Sequence, residues 1–403
     1  MFHTPRANWF ILALYSLISI AVLVASLAIP AFRTLAYAPV RELLMPPPAP
    51  IVVSLLYSTE KDAWLKEAVP SFEATNPAIN GHPVQIKLET MGSREIYLAV
   101  LDGSRKPDII SPASSMQIAI LQDQSTGKFP TPVVNLADKG SCRSVVTTPL
   151  VLVAWKERAA VLWGQQPGSS LWQSLQTAAV DPRGWDAFGH SDWGYLKFGH
   201  TSPLSSNSGF MTVLLMTYGY YNKTSGLSSQ DILGNPDYQK WFSDFEKSIS
   251  QFEPSTGPLM QKMVSYGPSV YDLVAVYEAT AIEQAQNAVG RYGELHVYYP
   301  PATIWSDHPF CILNADWVTP DTHQAAAMFI DYLSGKDAQQ VAFMKYGFRP
   351  VEPSVSLTQP GSPFVRYTAN GLQADLSSLP TVELPTGSVL NTLLDFWNRN
   401  FSR

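Results

Sequence analysis

The sequence predicts an α/β protein of two lobes preceded by a membrane-length apolar helix, and three observations carry that prediction. From Ile51 onward, short apolar strand-like runs alternate with helical patterns, the alternation that builds sheets flanked by helices. The chain has 403 residues, enough for two ordinary domains with a generous core. Residues 9–29 contain no ionisable side chain except Tyr15, and at about 1.5 Å per residue such a run spans roughly 30 Å of hydrocarbon.

The apolar run is flanked by Arg6 and Arg33. It exceeds the roughly 7–15 apolar residues of a secretory signal, so it reads as an uncleaved single-pass anchor. Ala36-Tyr37-Ala38 has the small-x-small form of a cleavage site, and a cleaved, secreted form stays open. Either way the bulk of the chain is exported. No cysteine lies near the segment, which excludes a bacterial lipoprotein anchor. Residues 1–30 are thus the anchor or signal segment. Residues 31–50 form a Pro-rich spacer ending in Met45-Pro46-Pro47-Pro48-Ala49-Pro50, stiff enough to hold a domain off the bilayer.

Ile51-Val52-Val53-Ser54-Leu55-Leu56-Tyr57 is β-rich and unbroken, as a buried parallel strand should be. A helix follows from Ser58-Thr59-Glu60 to about Phe72. Residues 84–88 and 95–101 make the second strand and helix, and 108–110 and 116–121 the third. Residues 149–155 and 195–199 are further strands. The helix at 210–218 is apolar nearly all round and so must be buried. An amphipathic helix covers 237–252, with Tyr238, Trp241, Phe242, Phe245, Ile249 and Phe252 in one stripe. Ser269 reads as the cap of a helix to about Ala288, and residues 295–299 and 309–313 as paired strands. Thr319-Pro320-Asp321 starts a helix with proline at its first position. Asp337 to Lys345 follows as a short helix, and Ser388 opens a last amphipathic one. Residues 51–148 plus 312–403 are assigned to one lobe and 149–311 to the other, with hinge strands near 146–152 and 306–313.

Composition and motifs exclude several functions. The net charge is −6 and no Lys/Arg run occurs, which points away from nucleic acid. The seven histidines are scattered without metal-ligand spacing. There is neither a P-loop nor a G-x-G-x-x-G, so no metal and no cofactor is expected. Cys142 and Cys311 are either a disulfide or two buried thiols.

The strongest functional feature is the set of loops at strand ends, where hydroxyls and free amides gather at helix starts. Helix N-termini carry unsatisfied N–H groups and partial positive charge, and ligands of open α/β sheets sit outside the carboxyl ends of strands. Plain helix capping explains any single such loop; four of them on opposing lobes suggest a site.

One of these loops, Gly199-His200-Thr201-Ser202-Pro203-Leu204-Ser205-Ser206-Asn207-Ser208-Gly209, closely resembles a signature of bacterial extracellular solute-binding proteins of the type II periplasmic-binding fold. It looks most like the molybdate-binding-protein-like branch, with its membrane-anchored members. Ser58-Thr59-Glu60-Lys61, Val276-Tyr277-Glu278, Tyr298-Tyr299-Pro300-Pro301, Trp305-Ser306-Asp307-His308-Pro309 and Gly347-Phe348-Arg349-Pro350 match in order over roughly residues 50–400. The resemblance implies two lobes joined by crossover strands, a ligand held between them, and no catalysis. Carried over by position, the ligand contacts are Ser58, Thr59, Gly92, Ser93, Ser114, Thr201, Ser206, Asn207 and Ser208, with Tyr271 a weaker candidate. A small polar solute such as an oxyanion is the expected partner, with an ABC permease behind it. A membrane-anchored sensor or interaction module of the same fold is the alternative. Ser58-Thr59-Glu60-Lys61 also has the S-x-x-K spacing of serine acyl-enzymes, which makes Ser58 and Lys61 a remote catalytic pair.

Overall fold

The computed structural model describes residues 7–29, 48–164 and 167–402. The chain divides into two compact units, Met1–Pro50 with Asn80–Pro83, and Ile51–Ile79 with Val84–Arg403. The first contains helix α1, Ala7–Ala28, whose large apolar side chains from Trp9 to Val24 are mostly exposed. Among the described residues no helix is long and apolar enough to cross a membrane, so the span expected from the sequence is not confirmed. Most of the Pro-rich spacer, with Ala36-Tyr37-Ala38, lies outside the described residues.

The second unit is built on two six-stranded sheets. In the first, β1 (Ile51–Tyr57) lies parallel to β3 (His82–Thr90) and β4 (Ile109–Ser111). The edge strand β2 (Ala78–Ile79) pairs with β3. β11 (Pro309–Ile312) runs antiparallel between β4 and β5 (Cys142–Ser144). Strand periodicity places successive side chains on opposite faces. Val53, Leu55 and Tyr57 accordingly join Trp64 and Phe72 of helix α2 (Asp62–Glu73) in one core, while Leu56 and Ile110 join the other. Helices α3 (Ser93–Leu101) and α4 (Ser115–Ser125) complete the three strand–loop–helix units expected. Cys142 and Cys311 face each other across β5 and β11 and form a disulfide, which resolves the open pairing.

In the second sheet, β6 (Val146–Trp155) pairs antiparallel with β8 (Leu273–Tyr277) and β9 (Leu295–Tyr298). β7 (Phe198–Gly199) lies parallel to β8, and β10 (Trp305–Ser306) and β12 (Arg349–Pro350) also pair with β6. Packed around them are α5 (Asn207–Tyr221), α6 (Ser229–Leu233), α7 (Pro236–Ser248), α8 (Thr256–Tyr266) and α9 (Glu278–Ala288). The chain changes sheet at Val145, between β5 and β6, and at Asp307–His308, between β10 and β11.

Three sequence readings are corrected. Residues 269–277 are not the first turns of a helix. Leu273 to Tyr277 form a central strand with all five residues buried, and the helix begins only at Glu278. Residues 295–299 and 309–313 do not pair with each other but belong to different sheets. The C-terminal stretch does not stay with the first lobe. Helices α10 (Pro320–Ser334) and α11 (Lys336–Tyr346) contribute to the first core, but Val355, Phe364, Leu372 and Leu376 pack on Val151, Val153 and Val274 of the second sheet. The last helix, α12 (Gly387–Phe401), contacts α4, α6 and α7, so it lies against both lobes. Apolar burial carries this packing, and Arg349 pins it. It is buried, donates to Glu278 through Nε and Nη2 at 2.7 Å each, and gives Nη1 to the Ala374 carbonyl. A buried carboxylate needs such a partner, and Arg349 ties β12 to Glu278 and to the Ala374 carbonyl at once.

Candidate functional site

The helix starts that follow β1, β4 and β7 depart from ordinary capping. A serine at the N-cap normally accepts a hydrogen bond from an amide two or three residues on. Ser58, Ser114 and Ser206 all stand at N-caps, and none makes that bond. Their hydroxyls are buried and turned to other partners.

Ser114 Oγ donates to Asn207 Oδ1 at 2.9 Å, joining α4 of the first lobe to α5 of the second. Gln117 Nε2 donates to the same oxygen at 3.0 Å, and Asn207 Nδ2 donates to the Tyr277 hydroxyl at 3.1 Å. Ser306 Oγ donates to the Ala113 carbonyl and lies 3.2 Å from His308 Nε2. Because the Ser306 hydrogen is already placed, His308 Nε2 must be the donor and Nδ1 the acceptor. Lys61 Nζ, 3.1 Å from that Nδ1, donates to it. Nζ also lies 2.6 Å from Ser58 Oγ and 3.4 Å from the Pro112 carbonyl. Two buried polar chains therefore meet at Ala113–Ser114: one runs from Ser58 through Lys61, His308 and Ser306 to the Ala113 carbonyl, the other from Ser114 and Gln117 through Asn207 to Tyr277.

Burial dominates its electrostatics. Lys61 is wholly buried and, among the described residues, has no carboxylate within salt-bridge distance. Its pKa falls to about 7 because of desolvation, opposed by the charges of Glu60 and Asp307. His308 is pushed well below its ordinary value by burial and then by Lys61. Burial, and then Glu60, push Tyr277 well above its own. His308 also holds a left-handed backbone conformation, φ 38°, uncommon for a residue with a side chain. Ser111 Oγ and Gln117 Oε1, both deeply buried, have no partner among the described residues, and such orphaned groups call for an explanation.

The other residues expected from the sequence fall into three places. Ser93 Oγ accepts from the Ala113 amide at 3.0 Å, and a Cβ on Gly92 would stand 3.1 Å from the Ser205 carbonyl of the second lobe. Thr59 lines a cavity of about 260 Å³ between the lobes, with Glu60, Ser255, Pro258, Tyr277 and Phe348. Thr201, Ser206 and Ser208 form a hydroxyl cluster with Thr256, at 2.7–3.2 Å between neighbours, which joins the starts of α5 and α8. Gly209 is dictated by this packing, since a Cβ there would stand 2.0 Å from the Thr201 carbonyl. Tyr271 is not brought to the others: its hydroxyl donates to Glu253 at 3.1 Å and its ring fills the space beside Gly199. A larger cavity, about 540 Å³, is lined by none of the expected residues. Among the described residues no cluster fit to hold a metal ion is found.

Sequence reasoning missed Gln117, Ser306 and His308 as members of the site, and gave Lys61 no ligand role beyond its place in the family match and the enzyme-like tetrad. The available signal was the spacing of Ser58 and Lys61, which puts both on one side of the first turn. His200, in the same loop as Thr201 and Ser206, is held between the Thr201 carbonyl and Glu246.

Comparison with known proteins follows the geometry. Among solved structures, the sulfate-binding protein SubI of Mycobacterium tuberculosis H37Rv is 17% identical with a TM-score of 0.51, over 87% of this chain and 99% of that one. The iron-bound HitA of Pseudomonas aeruginosa is 13% identical with a TM-score of 0.55, over 88% and 100%. A periplasmic thiamin-binding protein is 12% identical with a TM-score of 0.58, over 88% and 97%. At these identities the likeness establishes the fold. No curated protein sequence matches the chain. The family model for bacterial extracellular solute-binding proteins matches residues 53–349, well over half of the chain, and therefore the chain belongs to the bacterial extracellular solute-binding proteins, a family that binds solutes and catalyses no reaction.

Proposed function

We propose that this protein captures a small polar solute between its two lobes, outside the cytoplasm, and presents it to an ABC-type permease for import. The observation that carries the reading is the trio of open caps at Ser58, Ser114 and Ser206. These turn hydroxyls away from their own helices toward partners where two lobes meet, beside Ser111 Oγ and Gln117 Oε1, which have no partner among the described residues. A solute rich in acceptors and donors satisfies these groups, and leaving them unmade is costly. Ser114 and Asn207, bonded to each other here, part as the lobes turn about Val145 and Asp307–His308 to admit it. Structural relatives are described as binding sulfate, iron and thiamin, which supports a small solute without selecting one. The Ser58–Lys61 contact that suggested an acyl-enzyme is sealed from solvent and sits in a family of binding proteins, which favours a binding role for both.

The N-terminal helix is read as the tether. Exposed apolar side chains along a helix call for an apolar surrounding, which supports this reading. A thermal-shift screen of the full-length chain against oxyanions, sugars and amino acids tests the capture. A ligand at a hundred times its Kd adds about 2.7 kcal/mol of stability. A shift that Ser58→Ala and Ser114→Ala abolish supports the site, whereas no shift with any solute speaks for a protein partner instead.

A further inference from the structure

Lys61 is a buried lysine for which capture of a solute by hydroxyls and amides gives no reason. Its Nζ faces three acceptors, Ser58 Oγ, His308 Nδ1 and the Pro112 carbonyl. His308 must accept, because its only hydrogen is committed to Ser306. The ammonium form of lysine has three N–H groups, which answers all three acceptors. Ser58 then receives a hydrogen bond, and its own O–H is free to point at a solute. The amine form has two N–H groups and a lone pair. It still serves His308 and Pro112, but Ser58 must now donate inward, leaving only lone pairs for a solute. Among the described residues nothing besides Lys61 claims the Ser58 hydroxyl, which makes no cap bond.

We infer that the proton on Lys61 decides whether Ser58 offers a solute a donor or only lone pairs, so that Lys61 sets the charge class the site accepts. The inference rests on the reading that a solute lies against Ser58. An anion that only accepts selects the ammonium twice over: it takes the Ser58 hydrogen, and it compensates a buried charge that no carboxylate contacts. Its binding then takes up a proton. The groups facing Lys61 are few. Glu60 comes from its own turn, Asp307 and His308 from the crossover, and Tyr277 approaches His308 from β8. Asp307 is held by Ser115 N at 2.7 Å and by Ser144 Oγ at 3.2 Å, and Tyr277 and His308 stay neutral near pH 7. Lys61 is thus the group in this set poised to titrate there.

The test follows the lysine ε-carbon resonances of the full-length chain in detergent micelles by NMR between pH 5.5 and 9.5, with sodium sulfate as the probe anion. One resonance is expected to titrate near neutral pH and to vanish in Lys61→Met, or in Lys61→Gln should the first variant fold poorly. Ser58→Ala removes an acceptor of the ammonium and is expected to move the midpoint down, without any solute present. Saturating sulfate is expected to move it up, and sulfate affinity to fall about tenfold per pH unit above the midpoint. A midpoint that ignores Ser58→Ala overturns the inference, as does sulfate binding that leaves the midpoint in place. If Ser58→Ala moves the midpoint but sulfate fails to bind, the Lys61–Ser58 coupling stands and anion capture falls.

Discussion

Helix starts in this protein come in two kinds. At Ser228, Asn235, Thr319 and Ser362 the side chain accepts from an amide of the first turn. This local arrangement makes a helix end self-sufficient, worth about 1 kcal/mol. At Ser58, Ser114 and Ser206 the same chemistry is present and the bond is not made. An open cap alone does not make a site, for Ser170 and Thr386 are open too. What sets the three apart is burial together with partners distant in sequence: Ser114 reaches Asn207 on the other lobe, and Ser58 reaches a lysine whose next partner is 247 residues away. A sealed cap serves its own helix. An open, buried one holds its hydrogen-bonding capacity for something that comes between the lobes.

Asn207 is where that comparison breaks most visibly. It takes hydrogen bonds from Ser114 and Gln117 and gives one to Tyr277. Asn207→Ala leaves those buried groups unanswered, at about 3 kcal/mol for the set, read as a lowered urea midpoint with unchanged slope. A loss below about 1 kcal/mol would mean that the lobes are not held together at this point.

The pH dependence of stability sharpens the contrast next. The folded-state pKa of Lys61 is lowered to about 7 by burial, against roughly 10.4 in the unfolded chain. Between those values the unfolded chain binds the extra proton, so stability rises with pH through this window, by up to about 1.4 kcal/mol per unit. Lys61→Met should flatten the rise from pH 7 to 9 in chemical denaturation, and Thr319→Ala should keep the slope. An identical slope in both variants would assign the effect to other groups.

The fold was legible because buried strands and amphipathic helices leave periodic apolar patterns. Ile51 to Tyr57 and the stripe through Tyr238, Phe242 and Phe245 were read correctly in kind. Residues 273–277 were not, because Leu273, Val274, Tyr277 and Ala281 also fit one face of a helix. Only the packing on both sides of β8 decides between the two. In the site, the loop serines and Asn207 were visible as hydroxyls and amides at helix starts. Lys61 and His308 were not, since their roles arise from the crossover strand folding over a turn far away in sequence. Whether a serine closes its own cap or leaves it open is likewise a matter of tertiary contacts, and no local pattern records it.

The smallest expected effect separates the two kinds of helix start most cleanly. Among the described residues Ser206 Oγ has only Ser208 Oγ, at 3.2 Å, as its partner, whereas Thr319 Oγ1 accepts from the Thr322 amide at 3.2 Å and donates to the Thr322 hydroxyl. Thr319→Ala should cost about 1 kcal/mol, and Ser206→Ala less than half of that. With a solute that stabilises the wild type the order should invert. The solute-induced rise in Tm should shrink in Ser206→Ala and stay whole in Thr319→Ala, because only the first variant removes a group held for the solute. Equal losses of stability with equal retention of the shift would reduce Ser206 to an ordinary surface of its helix, and the open caps would then need an explanation other than capture.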